Sequence, residues 1–295
     1  IAMAEVQFPV KVMEPVRVEA LPVGDYLYQV KWDGMRWITY KSSRGMQFQT
    51  KAQKVFTTRF PELDHSMNWL PMESMIDGEV VVLKEGAPHF PSLLRRIHSH
   101  SHKIPELEVE YIIFDVLFWE GQDWRNKPLS ERLELLEQRM PASERCHRIE
   151  TFSNGAKLWH GIEQLGLEGL VAKEPKSLYR GGINASWLKI KKAQEQTFLV
   201  GGMKFKGNSL QAVCLGMAMN TQFVYVGSVS NGVASILKNE SVLTLSERSS
   251  SPFEGIGPKP SRGETIRWVE PTLPLKTRFL EWTEGGKLRH AQIIV

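Results

Sequence analysis

The segment Tyr26-Leu27-Tyr28-Gln29-Val30-Lys31-Trp32-Asp33-Gly34-Met35-Arg36 sets an apolar, aromatic run against a Lys-x-Asp-Gly-x-Arg sequence. Residues 26–31 read as a β-strand that ends in a turn at Asp33-Gly34. A lysine amine attacks an electrophile only when deprotonated, and its reference pKa is about 10.4. A nearby cation or a bound metal shifts the balance toward the neutral amine. Arg36 and a bound metal could do that here, and Gly34 lets the backbone turn tightly. The same letters also describe a solvated turn between strands, so the choice depends on what accompanies them.

Outward from this segment the chain is rich in strands. Residues 37–40 and 46–50 predict a hairpin around Ser43-Arg44-Gly45. Residues 75–83 and 109–119 are dense in β-branched and aromatic side chains and predict buried strands. A helix is predicted from a Ser130 cap to about Met140, before Pro141. Another is predicted over 156–165, with Leu158, Ile162 and Leu165 on one face and Gly166 ending it. Residues 169–173 and 187–192 read as further strands.

Several of these strands carry charge. In Ile76-Asp77-Gly78-Glu79-Val80, Asp77 and Glu79 share one face, because side chains alternate with period two. Burying them is costly unless they meet cations, a sugar hydroxyl or hydrogen-bond donors. Phe114 and Asp115 point to opposite faces of an otherwise apolar strand, and Glu168 stands beside Gly169-Leu170-Val171-Ala172-Lys173. In Leu188-Lys189-Ile190-Lys191-Lys192, Lys189 and Lys191 form a cationic face suited to phosphates. Taken singly, each also suits an edge strand wetted by solvent or a locally satisfied core residue.

Beyond about residue 195 the texture changes. Strands are predicted over 198–205, 210–219 and 223–228, then a helix over 233–245, a Ser/Pro/Gly loop and strands near 265–269 and 276–282. That order is the one expected of an OB-type barrel. A boundary near residues 193–197 follows, with a larger α+β domain before it. The composition, 42% hydrophobic and 24% charged over 295 residues, is that of a globular protein. The net charge of +4 tilts only slightly toward a phosphate-rich partner. Two cysteines, Cys146 and Cys214, form neither a disulfide framework nor a metal-spacing motif, so a reducing, cytoplasmic setting is expected. No signal peptide or membrane span is read from the sequence. His98, His100 and His102 alternate in a polar stretch read as a solvated loop.

In this order, Lys-x-Asp-Gly-x-Arg, Asp-Gly-Glu, Phe-Asp, Glu-Gly-x-x-x-Lys and Leu-Lys-x-Lys resemble the covalent nucleotidyltransferase superfamily. Arg59-Phe60-Pro61-Glu62-Leu63 and Phe90-x-x-Leu93-x-x-Arg96 resemble bacterial ATP-dependent DNA ligases, above all the ligase module of end-joining enzymes. Trp268-Val269-x-Pro271, Glu281-Trp282-Thr283 and Leu288-Arg289-His290 are similar to that group's OB domain. The resemblance implies an adenylation (nucleotidyltransferase) domain built on antiparallel sheets over 1–195 and an OB-fold domain over 196–295. It implies ATP-dependent sealing of 5′-phosphate/3′-hydroxyl nicks in duplex DNA, in repair, replication or recombination. Lys31 would carry AMP. Gln29 and Val30 would lie by the base, Phe114 would stack on adenine, and Arg36 would contact the sugar or the DNA 5′-phosphate. Glu79 would hold the ribose and, with Glu168, a divalent metal, expected to be magnesium. Lys189 and Lys191 would bind the α-phosphate, a role with an electrostatic reason. Lys173 would lie near the nucleotide.

The sequence departs from the family pattern in three places. Gln29 stands where a glutamate is usual. Lys51 stands where a phosphate-binding arginine is expected, without that residue's bidentate fork. The Arg-x-Asp-Lys type of ending is missing after His290, from which slow self-adenylation is expected. Nicked duplex DNA is the expected partner, with an end-binding protein or polymerase beside it, no membrane, and a monomeric chain. An RNA ligase or GTP-dependent capping-type enzyme is the alternative within the superfamily, and an OB-type nucleic-acid-binding protein is the non-enzymatic one.

Overall fold

The computed structural model describes residues 6–98, 107–237 and 240–294. By contacts the chain divides into two compact units, Ile1–Lys192 and Ala193–Val295. In the first, β1 (Met13–Arg17), β2 (Leu27–Lys31), β3 (Met35–Ser42), β4 (Gly45–Thr50) and β5 (Val55–Phe56) precede α1 (Pro61–Ser66). Then come β6 (Ser74–Lys84), β7 (Ala87–Pro88), α2 (Phe90–His98), β8 (Val109–Trp119), β9 (Gln122–Asp123) and α3 (Leu129–Arg139). β10 (Cys146–Arg148), α4 (Gly155–Leu165), β11 (Gly169–Lys173) and β12 (Gly182–Lys191) complete the unit.

These strands make two sheets. The larger has eight strands on the path β10-β8-β6-β3-β4-β5, with β7 on β6 and β9 on β8. The smaller is ordered β1-β12-β11-β2. Antiparallel pairing dominates; β1 on β12 and β10 on β8 are parallel. Met13 and Trp187 of the small sheet pack with Ile38, Met75, Val81 and Ile112 of the large one, so a core lies between the sheets. The other face of the small sheet, through Tyr28, Leu170 and Ile190, packs on Leu158 and Ile162 of α4. β8 is buried along nearly its whole length, which accounts for its continuous apolar run.

The helices correct some sequence expectations. Ser130 does not cap α3: Pro128 holds the N-cap position, with no side-chain hydrogen bond. α4 begins instead at a conventional cap, where Asn154 accepts from the Lys157 amide at 3.0 Å, and it ends at Gly166 in the left-handed region. Leu165 is 72% exposed, off the buried face of α4. β1 and α2 add to the elements expected from sequence, and His98 closes α2; His100 and His102 lie outside the described residues.

The second unit contains β13 (Gln194–Lys206), β14 (Ser209–Met219), β15 (Gln222–Val229), α5 (Val233–Ile236) and α6 (Glu240–Leu243). It continues with β16 (Glu247–Arg248), β17 (Glu264–Val269), β18 (Pro274–Phe279), β19 (Glu281–Trp282), β20 (Leu288–Arg289) and β21 (Gln292–Ile293). The single helix expected over 233–245 is two short ones. Along one edge β13 pairs with β14; its other edge is divided between β18 (residues 194–199) and β17 (residues 202–206). A strand that serves two neighbours on one edge must bend, and the register shift between Val200 and Gly202 is where the regular ladder breaks. The sheet therefore curls into an OB-type barrel around Phe198, Phe279 and Trp282, whose rings meet edge-on.

Candidate active site

The small sheet places its chemistry by register. Lys31, Gly169 and Lys191 stand opposite one another on β2, β11 and β12. Two residues on, the row is Gln29, Val171 and Lys189; two further, it is Leu27, Lys173 and Trp187. Period two puts all nine on one face. Val30 alternates to the opposite face with Tyr28 and Leu170, so it offers this site main chain and not its side chain.

Glu168 is the hub of the first row. Both its carboxylate oxygens lie 2.8 Å from Lys31 Nζ, and Oε1 lies 3.6 Å from Lys191 Nζ. Its carbonyl accepts from the Lys192 amide at 2.7 Å, which anchors the residue to the end of β12. The close spacing depends on Gly169: a Cβ there would fall 2.1 Å from the Ile190 carbonyl oxygen. Gly34 answers to a similar constraint. Its φ is not left-handed; a Cβ would lie 2.1 Å from the Val80 carbonyl oxygen, so close approach to β6, and not turn geometry, excludes a side chain.

The charges shift one another. Burial alone would lower the Lys31 pKa, but the Glu168 and Glu79 carboxylates outweigh it and leave the amine above its ordinary value. Burial and the neighbouring Lys31 bring Lys191 down to about 7. Lys189 is lowered by burial, then by Lys31 and Lys51. Glu79 is pushed up to about 8 by burial. Of the two cations expected from sequence to favour a neutral Lys31, a bound metal and Arg36, the second is engaged elsewhere. Its guanidinium is taken up by Asp77, through Nε at 2.6 Å and Nη2 at 2.7 Å.

On the large sheet, Arg36 (β3) stands across from Glu79 (β6). Phe114 of β8 is 9% exposed, with the Arg36 guanidinium 4.7 Å and the Lys173 ammonium 4.3 Å from its ring centroid. Lys173 also lies 4.0 Å from the Trp187 ring, and burial brings its pKa down to about 7. Lys51 follows β4 and pairs with Glu14 at 2.5 Å, half-exposed. Asp115 is held from outside the site: Arg132 of α3 grips it through Nε at 2.7 Å and Nη2 at 2.9 Å, while its charge still reaches Lys173. Tyr179, which donates to Asp77 at 2.6 Å, was missed because it lies in a connection with no periodicity.

Two observations bear on what the site could hold. Gln29 Oε1 is buried without a hydrogen-bond partner among the described residues, and it shares a face with Lys31. A buried acceptor left unmade is costly, and the amino group of a base would satisfy it. Among the described residues no group of three or more His, Cys, Asp or Glu is arranged to hold a metal. Glu79 and Glu168 are a two-carboxylate set, which suits an oxygen-seeking cation that takes its remaining ligands from water and phosphate.

A two-sheet unit with a lysine heading a cationic row, followed by an OB barrel, defines a covalent nucleotidyltransferase of the ligase type. The chain belongs to the ATP-dependent DNA ligase family: residues 13–191 match the ATP dependent DNA ligase domain and residues 206–295 the ATP dependent DNA ligase C terminal region. The family uses ATP and a divalent metal. The chain is 29% identical over 287 residues to the multifunctional non-homologous end joining protein LigD of Pseudomonas aeruginosa, covering 93% of this chain and 34% of that protein. The SPbeta prophage-derived DNA ligase-like protein LigB of Bacillus subtilis is 31% identical over 169 residues, 56% of this chain and 61% of that one. A mycobacterial DNA ligase D complexed with ATP and MES shares the fold with a TM-score of 0.57 at 24% identity, over 96% of this chain and 93% of that one. The chain spans about a third of the length of the end-joining relatives. No helix among the described residues is long and apolar enough to cross a membrane.

Proposed function

We propose that this chain seals 5′-phosphate/3′-hydroxyl nicks in duplex DNA through AMP carried on Lys31, as the ligase part of an end-joining repair activity. Residues 1–195 act as the adenylation domain and 196–295 as an OB domain that engages DNA phosphates. The observation that carries this reading is the Lys31–Glu168 contact at 2.8 Å, with Lys189 and Lys191 on the same face.

Lys31 Nζ, once deprotonated, attacks the α-phosphorus of ATP; the N–P bond forms as the bond to pyrophosphate breaks. The 5′-phosphate of the nick then takes AMP from Lys31, and the 3′-hydroxyl displaces AMP to form the phosphodiester. Lys189 and Lys191 stabilise charge that develops on the α-phosphate oxygens. Gln29 accepts from the adenine amino group, and Phe114 and Lys173 line the base pocket. Arg36 offers its remaining guanidinium edge to the sugar or phosphate, while Lys51, on release from Glu14, reaches a phosphate. Glu79 and Glu168 are the residues that would hold a divalent cation, expected to be magnesium, whose charge favours the neutral form of Lys31. An end-binding protein or a polymerase fits beside such an activity, since the long relatives are multifunctional end-joining proteins.

Incubation with labelled ATP, GTP and NAD tests the reading. ATP is expected to give an acid-labile lysyl-nucleotide that Lys31→Ala abolishes, while the variant still seals a nick supplied already adenylated. Labelling by GTP would indicate a capping-type enzyme. Normal labelling of Lys31→Ala would refute the assignment.

A further inference from the structure

Arg36, Asp77, Tyr179 and the Met13 backbone close a ring of hydrogen bonds across the two sheets. Arg36 Nη2, besides its bond to Asp77, donates to the Met13 carbonyl at 2.9 Å. The Tyr179 hydroxyl donates to Asp77 Oδ2 at 2.6 Å and accepts from the Met13 amide at 3.1 Å. The four members come from β3, β6, the β11–β12 connection and β1, three of them buried and Arg36 nearly so. Burial and the nearby Asp77 raise the Tyr179 hydroxyl well above its ordinary pKa, so it remains a donor.

The ring constrains Arg36 in a way that the ion pair alone does not. A bidentate guanidinium–carboxylate fork fixes the two planes to one another, but the broad terminal torsion of the aspartate lets the joined pair swing together. The Tyr179 hydroxyl occupies a second acceptor position on Oδ2 and is itself tied to β1, so the carboxylate plane is fixed. The guanidinium plane is fixed with it, 4.7 Å from the Phe114 centroid. Nε and Nη2 are spent within the ring; among the described residues nothing accepts from Nη1. Tyr179 also meets Trp187 edge-on at 5.9 Å, and Trp187 supports Lys173.

We propose that Tyr179 is a positioning residue for nucleotide transfer: through Asp77 and Met13 it fixes Arg36, so that Nη1 is presented at one place beside Phe114. This rests on the reading of Lys31 and Phe114 as the nucleotide site. Tyr179→Phe keeps the aromatic side chain and removes only the hydroxyl. Single-turnover labelling by ATP, expressed per folded molecule, is compared for the unmodified chain, Tyr179→Phe, Arg36→Lys and the double variant, with thermal unfolding in parallel. Tyr179→Phe is expected to lower kcat/KM for self-adenylation about tenfold, the low end for a hydrogen bond to a charged group. In the Arg36→Lys background it should add almost nothing, because the two residues act as one unit. Additive losses, or unchanged labelling with only a lower Tm, overturn the proposal and leave Tyr179 a structural clamp. Absence of ATP labelling in the unmodified chain overturns the site reading and this inference with it; normal labelling in both Tyr179→Phe and the unmodified chain overturns this inference alone.

Discussion

Around the large sheet two largely buried arginines each have their own carboxylate. Arg132 and Asp115 are both 0% exposed and joined by two hydrogen bonds; Arg36 and Asp77 repeat the arrangement. On the small sheet Lys31 and Lys191 share Glu168, and Lys189 stands in the neighbouring row on the same face. Burying a charge costs several kcal/mol unless a partner compensates it. A one-to-one pair is complete and holds the fold, whereas lysines that share one close carboxylate leave positive charge that an anion can answer. Burial first, and then the neighbouring Lys31, lowers the pKa values of Lys189 and Lys191. Asp115 and Glu168 are both buried acids beside basic residues, yet the first belongs to the architecture and the second to the chemistry.

The most severe way to break the comparison is Arg132→Met. It leaves Asp115 buried without its cation and should destabilise the protein by about 3–5 kcal/mol. Restoring an apolar match with Asp115→Leu should recover most of that loss. Denaturant titration of the single and double variants measures both. Unchanged stability in Arg132→Met would mean that the closed pair is not what holds α3 to β8.

The converse change is made on the small sheet. Lys189→Ala and Lys191→Ala should each slow adenylate transfer several hundredfold, about 3–4 kcal/mol of transition-state stabilisation, with little loss of stability. Lys192 extends past the strand, its Nζ 3.1 Å from the Glu163 carbonyl at the surface, so Lys192→Ala should be mild. Single-turnover rates of the three variants decide the matter; equal losses would reduce the shaped row to a diffuse basic patch.

The sequence was informative where local periodicity carries the signal. Alternation set Lys189 and Lys191 on one face, and the runs around 75–83 and 109–119 are the long strands β6 and β8. What brings Lys31 to Glu168 is strand register between segments more than a hundred residues apart, and no local pattern encodes it. The same holds for β1, whose parallel partner β12 lies far along the chain. The Arg132–Asp115 pair was hidden because an arginine on a helix reads as solvated until its burial is known. Tyr179 was hidden because its meaning lies wholly in its partners. The part of the expected activation of Lys31 assigned to Arg36 failed for a different reason: proximity in sequence suggested a cation beside the amine, whereas the fold turns Arg36 to Asp77 and gives Lys31 to Glu168.

Lys173 lies between the two regimes, and its titration gives the smallest and most discriminating effect. Burial holds its pKa at about 7, below the value of about 10.4 for an unfolded lysine. Between these values the unfolded chain binds the additional proton, so this group's contribution makes stability rise with pH across roughly 7 to 10. Below 7 both states are protonated and the full penalty of a buried ammonium is present. Every tenfold loss of proton affinity on folding costs about 1.4 kcal/mol, but the Phe114 and Trp187 rings at 4.3 and 4.0 Å favour the charged form. A desolvated cation–π contact is worth about 2 kcal/mol, which leaves a net penalty of roughly 2–3 kcal/mol at neutral pH. Lys173→Met should therefore stabilise the protein by about that amount at pH 6, and the difference should vanish toward pH 10. Urea unfolding of both proteins at these pH values measures it, other titrating groups being common to the pair. A variant less stable at pH 6 by a similar amount would mean that the two rings more than compensate burial. Lys173 would then be a settled cation like Arg132, no longer one of the charges held ready for an anion.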